Sequence, residues 1–261
     1  MFDLTGKVVV ITGGAGILGR RISAALIERG AKIAIIDRDG DKAAEVAASL
    51  GSTDQVRAHS GDVTRRDSLE SVQKAVREQF GEVDVLVNNI ATKTANIFEP
   101  FETFPLEDWN EVMNVNTTGA MLACQVFGSE MARRGHGAII TTLSIYGIVG
   151  PDQRIYEGAQ YEGRAINSPA VYSASKAALL GLTKYLATYW GHCGVRVNAI
   201  TPGGVFSGQN DMFVSRYSAR VPLGRMAQQD EMSGGVVYLA SDEASYVTGH
   251  NLVVDGGLTA W

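Results

Sequence analysis

The sequence predicts an α/β fold with a doubly wound parallel sheet of about seven strands and helices on both faces. Short runs rich in Val and Ile alternate with longer segments in which apolar residues recur at helical spacing. Strands separated by helices need crossover connections, so the sheet should be parallel and covered on both faces. The chain has 261 residues, 45% of them apolar, and no Pro/Gly/Ser-rich linker. We therefore predict one domain over residues 1–261.

The first strand and helix set a pattern that repeats to the end of the chain. Residues 8–12 are a β-branched run bounded by glycines, and Ile22, Ala25 and Leu26 follow at helical spacing. The predicted strands are 8–12, 32–37, 55–59, 83–88, 137–143, 195–200 and 251–254. The predicted helices are 19–30, 41–50, 68–80, about 106–134, 170–192 and 230–241.

Three irregular stretches, 89–105, 147–169 and 202–220, each follow a predicted strand. In an open parallel sheet, the ligand crevice lies at the carboxyl ends of the strands. We therefore expect all three stretches to overhang one crevice.

Composition narrows the classes of function. The net charge is −5 and the basic residues are scattered, so no basic stripe is available to bind nucleic acid. No charged leader or stretch of about 20 apolar residues occurs, which predicts a soluble, cytoplasmic protein without a membrane span. Four isolated histidines give no support for a metal site. Cys124 and Cys193 fall in apolar helical patterns and are predicted to be buried thiols.

Gly14, Gly16 and Gly19 follow the first strand and open the first helix in GxGxxG spacing. Such glycines permit a tight turn and close approach of the backbone to a pyrophosphate at the helix N-terminus. A flexible turn is the alternative for the glycines alone. Asp37 ends the second strand, where its carboxylate can accept bonds from ribose hydroxyls and repel a 2′-phosphate. The pattern favours a dinucleotide, and NAD over NADP, although neighbouring Arg38 could in principle bind a phosphate.

Tyr172 and Lys176 are four residues apart in a segment with strong helical periodicity, so their side chains share one helix face. An adjacent ammonium and an oxidised nicotinamide favour the phenolate of such a tyrosine, which can then accept a substrate proton. Ser144 ends the predicted strand AIITTLS, where its hydroxyl can hydrogen-bond a substrate oxygen. The Tyr–Lys pair alone would more often belong to an ordinary amphipathic helix with a solvated lysine. With Ser144 it predicts interconversion of a secondary alcohol and a ketone.

Motifs spread over nearly the whole chain resemble those of the short-chain dehydrogenase/reductase family. They are TGGAGILG, GDV, NNIA, NVNTTG, YSASK, RVNAITPGG and VTGHNLVVDGG. The resemblance implies a Rossmann-like fold and a nicotinamide cofactor. Two motifs depart from the family pattern, since TGxxGxxG replaces TGxxxGxG and NNIA replaces NNAG. The cofactor-binding residues derived from the residues and this resemblance are Gly13, Gly14, Gly16, Ile17, Leu18, Gly19, Asp37, Arg38, Asp62, Val63, Asn89, Ala91, Tyr172, Lys176, Pro202, Gly203, Val205 and Ser207.

The resemblance also places groups along the cofactor and adds a fourth catalytic residue. It implies that Asn116 joins Ser144, Tyr172 and Lys176 and takes part in a water-mediated proton relay with Lys176. A helix kink stabilised by side-chain bonding is the alternative for Asn116. Along the cofactor, Asp62 and Val63 would contact the adenine, Asn89 and Ala91 the adenosine side, Pro202, Gly203 and Val205 the nicotinamide, and Ser207 its carboxamide.

The segment 147–169 lengthens the gap between Ser144 and Tyr172 beyond that of most relatives, and we interpret it as an insertion near the active site. Its polar side chains suit a hydroxylated or carboxylated substrate, so a sugar, polyol or sugar acid is our hypothesis. A surface excursion or a subunit contact is the alternative. The side chains concerned are Asp152, Arg154, Tyr156, Glu157, Tyr161, Glu162 and Arg164.

The segment 204–220 resembles the family's mobile substrate lid, chiefly over 208–220. Phe206, Met212, Phe213 and Tyr217 would supply apolar cover that excludes water. This cover fits many substrates, so the lid alone does not select one.

Other functions remain as alternatives. An NADPH-dependent 3-oxoacyl-thioester reductase would need basic residues near the glycine loop. A non-catalytic NAD-binding sensor or scaffold would keep the glycine loop but lose Tyr172 or Lys176. An enoyl reductase of this family would place its tyrosine at the position of Pro169, and a nucleotide-sugar epimerase would need more chain after Gly203. The resemblance further suggests a homotetramer or a homodimer.

Overall fold

Seven parallel strands form the central sheet in the computed structural model, which describes residues 1–161 and 163–261, with only the backbone of Tyr161. The spatial strand order is β3-β2-β1-β4-β5-β8-β9. A short antiparallel hairpin of β6 and β7 lies apart from the sheet. The strands are β1 Val8–Thr12, β2 Lys32–Asp37, β3 Val56–Ser60, β4 Val85–Asn88, β5 Gly137–Thr142, β6 Gln160–Tyr161, β7 Arg164–Ala165, β8 Val195–Pro202 and β9 Asn251–Val254. The predicted doubly wound fold is confirmed.

Helices cover both faces of the sheet because each strand contributes apolar side chains to two cores. In β1, Val9 and Ile11 join the core under α1, α2 and α9, whereas Val8 and Val10 join the opposite core. The helices are α1 Ile17–Ile27, α2 Gly40–Leu50, α3 Arg66–Phe80, α4 Leu106–Met113, α5 Gly119–Ala123, α6 Ser129–Arg134, α7 Ala170–Trp190, α8 Asp211–Ser218 and α9 Ser233–Ala240. No helix in the described part of the chain is long and apolar enough to cross a membrane.

The helix predicted over 106–134 is helical throughout but not uniform. π-helical turns at Asn114–Thr118 and Cys124–Gly128 separate α4, α5 and α6. Such turns widen the helix by one residue and usually accompany side-chain or functional constraints. The first turn contains Asn116, whose buried side chain bonds two neighbouring segments.

Several predicted boundaries differ by a few residues from those observed. Strand β8 continues to Pro202 because its last residues pair with β9 through Pro202 and Val254. Strand β5 ends at Thr142, so Ser144 lies two residues beyond it. Helix α9 begins at Ser233 rather than at the predicted 230. The prediction of two buried thiols is half wrong, because Cys124 is buried but Cys193 is partly exposed in a short turn.

The residues after β5 and β8 share a third, smaller apolar cluster. Ile145 and Ile155 come from the first segment, and Phe213 and Tyr217 come from helix α8 of the second. Tyr156 and Phe213 are in ring contact at 5.3 Å between centroids. Part of the predicted lid is thus helical and packs against the predicted insertion.

Candidate active site

The glycine-rich turn between β1 and α1 is a cradle built from backbone. Gly13 has φ +63°, a left-handed conformation that favours glycine. A Cβ on Gly19 would lie 2.5 Å from the Gly13 oxygen, and one on Gly14 would lie 2.8 Å from Ile35 Cγ2. Helix α1 begins at Ile17 with its first N–H groups directed into the turn. This turn therefore fits a pyrophosphate, which needs close backbone approach and a helix N-terminus.

The nucleotide end of the cleft continues along the carboxyl ends of β2 and β4. Asp37 is half-buried there, and its Oδ1 accepts a 3.2 Å bond from the Asp39 N–H. Asn89 donates through Nδ2 to the Gly13 oxygen at 3.2 Å, and its own N–H donates to Thr12 Oγ1 at 3.2 Å. These bonds tie the NNIA segment to the glycine turn, so both line one surface.

A single continuous cavity of about 690 Å³ joins this surface to the region beyond β5 and β8. The predicted insertion, the predicted lid and the loop after β4 all contribute to its walls, as expected. The predicted site residues in its wall are Gly13, Gly16, Ile17, Leu18, Asp37, Asn89, Ala91, Ser144, Tyr172, Lys176, Pro202, Gly203 and Val205.

The remaining predicted residues lie elsewhere. Gly14 and Gly19 form the tightly packed base of the turn. Val63 is buried, and its Cγ2 lies 2.7 Å from the position that a Cβ on Gly119 would occupy. Arg38 and Asp62 line a separate cavity beyond β2 and β3. Ser207 is exposed and bonds Gln209, whose Nε2 donates to its Oγ at 3.1 Å.

Ser144, Tyr172 and Lys176 converge in the middle of the cavity. The turn after Ser144 presses on α7, since a Cβ on Gly147 would lie 2.8 Å from the Lys176 carbonyl carbon. The Lys176 Nζ lies 5.9 Å from the centroid of the Tyr172 ring and donates to the backbone carbonyl oxygen of Thr142 at 2.8 Å. A hydroxyl, a phenol and an ammonium therefore face one space.

Burial changes the proton affinities of these groups. It raises the pKa of Tyr172, and a hydrogen bond with the Ser144 hydroxyl acts in the opposite direction. Burial also lowers the pKa of Lys176 to about 8, because the ammonium has lost water. The amine thus titrates much closer to neutrality than an exposed lysine. Among the described residues, no three His, Cys, Asp or Glu side chains come together as a metal site.

Asn116 lies behind this group in the first π-helical turn. Its Oδ1 accepts from the Thr92 N–H at 3.0 Å, and its Nδ2 donates to Ser175 Oγ at 3.1 Å. The Ser175 hydroxyl in turn donates to the backbone carbonyl oxygen of Tyr172 at 2.9 Å. The side chain therefore links the loop after β4 to α7 through both ends of its amide.

The charged side chains that the structure describes in the insertion are not among the residues that line the cavity, in contrast to the hypothesis that they bind substrate. Asp152 pairs with Arg154 at 2.8 Å and with Arg220 from the lid segment. Arg164 donates to the Ala95 oxygen at 2.9 Å. The contacts of Asp152 with Arg220 and of Arg164 with Ala95 join residues distant in sequence, so the pattern alone could not reveal them. Glu162 and the side chain of Tyr161, also part of that hypothesis, lie outside the described residues.

Neutral polar side chains line this part of the cavity, although apolar side chains make up most of the cavity surface. Tyr156 donates to the Tyr146 hydroxyl at 3.0 Å, and both line the cavity beside Asn167 and Ser168. Gln209 enters from the lid segment. Sequence reasoning missed Tyr146, Asn167, Ser168 and Gln209 as site residues. The first three could have been found from the sequence because they lie between Ser144 and Tyr172.

The lid segment is held against the cavity by a tyrosine. The Gly204 N–H donates to the Tyr217 hydroxyl, and a Cβ on Gly204 would lie 2.5 Å from Tyr217 Cζ. Tyr217 and Phe213 are buried, whereas Phe206 and Met212 are 41% and 48% exposed. Only two of the four residues predicted as apolar cover therefore close the cavity in this conformation.

Known proteins similar to this chain are oxidoreductases. A family model described as enoyl-(acyl carrier protein) reductase matches residues 13–259. A D-threitol dehydrogenase of Mycolicibacterium smegmatis is 36% identical, over 99% of this chain and 95% of its own length. A 3-oxoacyl-[acyl-carrier-protein] reductase of Escherichia coli is 32% identical, over 98% of both chains.

Solved structures resemble the fold over almost its whole length. A gluconate 5-dehydrogenase from Burkholderia cenocepacia, in complex with NADP and tartrate, is 29% identical with a TM-score of 0.87, covering 100% of this chain and 98% of its own. An NAD⁺-bound xylitol dehydrogenase is 27% identical with a TM-score of 0.86, covering 97% and 99%. Relatives with this architecture thus include proteins bound to either nicotinamide cofactor.

Proposed function

The chain belongs to the short-chain dehydrogenase/reductase family and is an oxidoreductase acting on CH–OH groups, and on that premise we propose that it is an NAD-dependent polyol dehydrogenase. It would oxidise a secondary alcohol of a sugar alcohol, sugar or sugar acid to the ketone, and catalyse the reverse reduction. One observation carries the proposal: Ser144, Tyr172 and Lys176 share a cavity with the glycine turn at one end and the polar side chains of Tyr146, Tyr156 and Ser168 at the other.

We assign the proton chemistry to Tyr172. The nicotinamide, when bound, accepts or supplies the hydride. Ser144 donates a hydrogen bond to the substrate oxygen and holds it beside the Tyr172 hydroxyl, which removes the alcohol proton. The positive charge of Lys176 stabilises the phenolate, and its position near the cofactor end suits it to bind ribose hydroxyls. Asn116 supports this group by fixing α7 against the loop after β4.

We propose NAD as the cofactor because of Asp37. Its half-buried carboxylate lines the cavity where the adenosine ribose would lie, and it would repel a 2′-phosphate. Arg38 and Asp62, which we expected at the adenosine, line the neighbouring cavity. Lys42 also lines the main cavity and is a positive charge that could favour NADP. The ratio of NAD to NADP activity therefore tests the role of Asp37 directly.

The 3-oxoacyl-thioester reductase is the second candidate, since one curated relative has that name. Asp37 beside the glycine loop would repel the 2′-phosphate of NADPH, and relatives that are named polyol dehydrogenases favour a hydroxylated substrate. Enoyl reduction is disfavoured because Pro169 stands where that chemistry would need a tyrosine. A non-catalytic NAD sensor is disfavoured because Tyr172, Lys176 and Ser144 stand together.

We further propose that the chain forms a homotetramer or homodimer. Tyr185 and Tyr189 on α7 stack at 5.7 Å and are 61% and 56% exposed. Trp261 is 81% exposed. Exposed aromatic clusters of this kind are typical of protein contacts. Sedimentation of the purified chain would measure the assembly.

The test is NADH formation at about pH 9, where alcohol oxidation is favoured, with NAD or NADP and a panel of polyols, sugar acids and hydroxyacyl thioesters. We expect NAD-specific oxidation of polyols. Tyr172→Phe should keep NADH binding but lose turnover by about 10²- to 10⁴-fold, and Asp37→Ala should lower the NAD/NADP activity ratio about tenfold or more. Thioester reduction with NADPH, or turnover retained by Tyr172→Phe, would overturn the proposal.

A further inference from the structure

Tyr217 on α8 makes a buried contact that the proton chemistry at Tyr172 does not use. Its hydroxyl accepts a hydrogen bond from the Gly204 N–H. A Cβ on Gly204 would lie 2.5 Å from Tyr217 Cζ and 2.8 Å from the hydroxyl oxygen, so the ring touches the backbone directly. Tyr217 is only 2% exposed, so water is largely excluded from this bond.

Gly204 lies in the turn that follows β8. We assign this turn to the nicotinamide side of the cleft, because the family resemblance places Pro202, Gly203 and Val205 there. All three residues line the main cavity together with Gly204. The contact with Tyr217 therefore bears on the part of the cavity where hydride would be exchanged.

The turn is held by the edge of the sheet on one side and by α8 on the other. The Gly203 N–H donates to the Val254 oxygen of β9 at 2.9 Å, and the Ala227 N–H donates to the Gly204 oxygen at 2.9 Å. These bonds fix the turn to residues outside α8. Tyr217 supplies the bond from α8, and it does so through one hydroxyl group.

A row of aromatic contacts continues from Tyr217 towards the reacting group. The Tyr217 and Phe213 rings stack at 5.9 Å between centroids, and Phe213 meets Tyr156 at 5.3 Å. Tyr156 donates to the Tyr146 hydroxyl at 3.0 Å, and the Tyr146 N–H donates to Ser144 Oγ at 3.3 Å. All five residues line the main cavity. The row therefore links α8 to the serine that would bind the substrate oxygen.

We propose that Tyr217 is a positioning residue for hydride transfer. By holding the Gly204 N–H while α8 packs over the cavity, it sets the nicotinamide side of the cleft relative to the substrate side. Loss of its hydroxyl should slow hydride transfer more than it weakens cofactor binding, because the glycine turn that we assign to the pyrophosphate is a separate element of the fold. The inference rests on the proposed dehydrogenase function.

The first test is Tyr217→Phe, which keeps the ring and removes only the acceptor. NADH titration by fluorescence would count binding sites, and steady-state kinetics with NAD and threitol would give kcat per site. We expect kcat per site to fall about ten- to a hundredfold and NADH affinity to change less than about threefold. A variant that is merely less folded would lose sites and keep kcat per site. Threitol deuterated at its secondary carbons should react more slowly in the variant, which would identify hydride transfer as the slow step.

Amide hydrogen exchange of the protein without ligands gives a readout independent of turnover. In Tyr217→Phe the Gly204 N–H has lost its acceptor, so peptides covering residues 203–206 should exchange at that position about tenfold faster or more. The amides of β1, which bond to neighbouring strands on both sides, should keep their wild-type rates. Mass spectrometry would measure both regions in one experiment.

Gly204→Ala is a second variant that acts on the same contact from the other side, since its Cβ would displace the Tyr217 ring. It should show the same loss of kcat per site, and adding Tyr217→Phe to it should cost little more, because both changes break one bond. Tyr246→Phe removes a hydroxyl from a fully exposed tyrosine and should behave as the wild type.

Wild-type kcat per site in Tyr217→Phe would overturn the positioning role and leave the proposed function intact. Exchange that rises equally in β1 and at Gly204 would show a general loss of stability and would overturn it as well. A wild-type protein that oxidises no polyol and no other alcohol would overturn the proposed function and the role in hydride transfer together.

Discussion

The nucleotide end and the substrate end of the cleft are built from different parts of the polypeptide. At the nucleotide end, backbone packed on backbone makes the surface, as at Gly19, where a Cβ would lie 2.5 Å from the Gly13 oxygen. At the substrate end, side chains of the segments after β5 and β8 make it, through an apolar cluster and ion pairs. The backbone surface at the nucleotide end therefore tolerates few substitutions. Side chains at the substrate end can be replaced, and substrate specificity altered, without disturbing the sheet.

The strongest test of this difference between the two ends is to add one methyl group at the nucleotide end. Gly19→Ala should weaken NADH binding about a hundredfold or more, because the Gly13–Gly14 turn must move away from the new Cβ. Fluorescence titration with NADH would measure the loss. Gly181→Ala on α7 adds the same methyl group where nothing lies within 4 Å, and it should keep normal affinity. Equal affinities in the two variants would contradict the backbone cradle.

Lys176 stands where the two ends meet, and its burial should make stability depend on pH. The folded pKa is about 8, below the usual 10.5, so the unfolded chain binds more protons between these values. Its burial therefore destabilises the folded state most below pH 8, and this penalty shrinks as pH rises. Lys176→Met should be the more stable protein at pH 7, and its advantage should fall by about 2 kcal/mol between pH 8 and 9.5.

Denaturant unfolding of both proteins at several pH values would measure this difference. The comparison with Lys176→Met cancels the other titrating groups, including the buried tyrosines. Lys184→Met, at an exposed position on the same helix, serves as the control for removing a charge. A gap between wild type and Lys176→Met that is constant with pH would contradict the buried, depressed lysine.

The smallest effect is expected at the substrate end. Asp152 stays ionised because Arg154 and then Arg220 hold its pKa at about 2, and the pair with Arg220 joins the insertion to the lid segment. Arg220→Ala should raise KM for a polyol by about two- to fivefold, since exposed ion pairs contribute little. NADH affinity should stay unchanged. Steady-state kinetics would measure both quantities, with Arg29→Ala as an exposed control. A large loss of NADH affinity in Arg220→Ala would contradict the independence of the nucleotide end from the substrate end.

The sequence predicts the nucleotide end better than the substrate end, for a physical reason. Strand β1 and the glycine turn depend on local properties, namely β-branched side chains and φ values open to glycine. The wall near Asn167 depends on partners distant in the chain, such as Phe98 and Gln153. Charges that the pattern assigned to the substrate are instead used for such distant contacts, as at Arg164. Tyr172, Lys176 and Ser144, which line one cavity, could be predicted to lie together because their residue types and spacing carry the signal.

The helical run from α4 to α6 shows the same limit on a larger scale. Its apolar period predicts a helix, and the structure has one. The π-helical turns could not be predicted, because they depend on Asn116 meeting Thr92 and Ser175. Local propensity determines that the segment is helical, and tertiary bonding determines how it is wound.

The two π-helical turns also limit how the length of this helical run can vary. Each π-helical turn contains one residue more than an α-helical turn, and one residue of an α-helix corresponds to a rotation of about 100° about the helix axis. Deleting one residue from Asn114–Thr118 would let the turn relax to an α-helix and rotate everything after it. Ala123 and Phe127, both fully buried against the sheet, would then turn towards solvent. Insertions and deletions should therefore accumulate in the loops at the cleft and be excluded from this stretch.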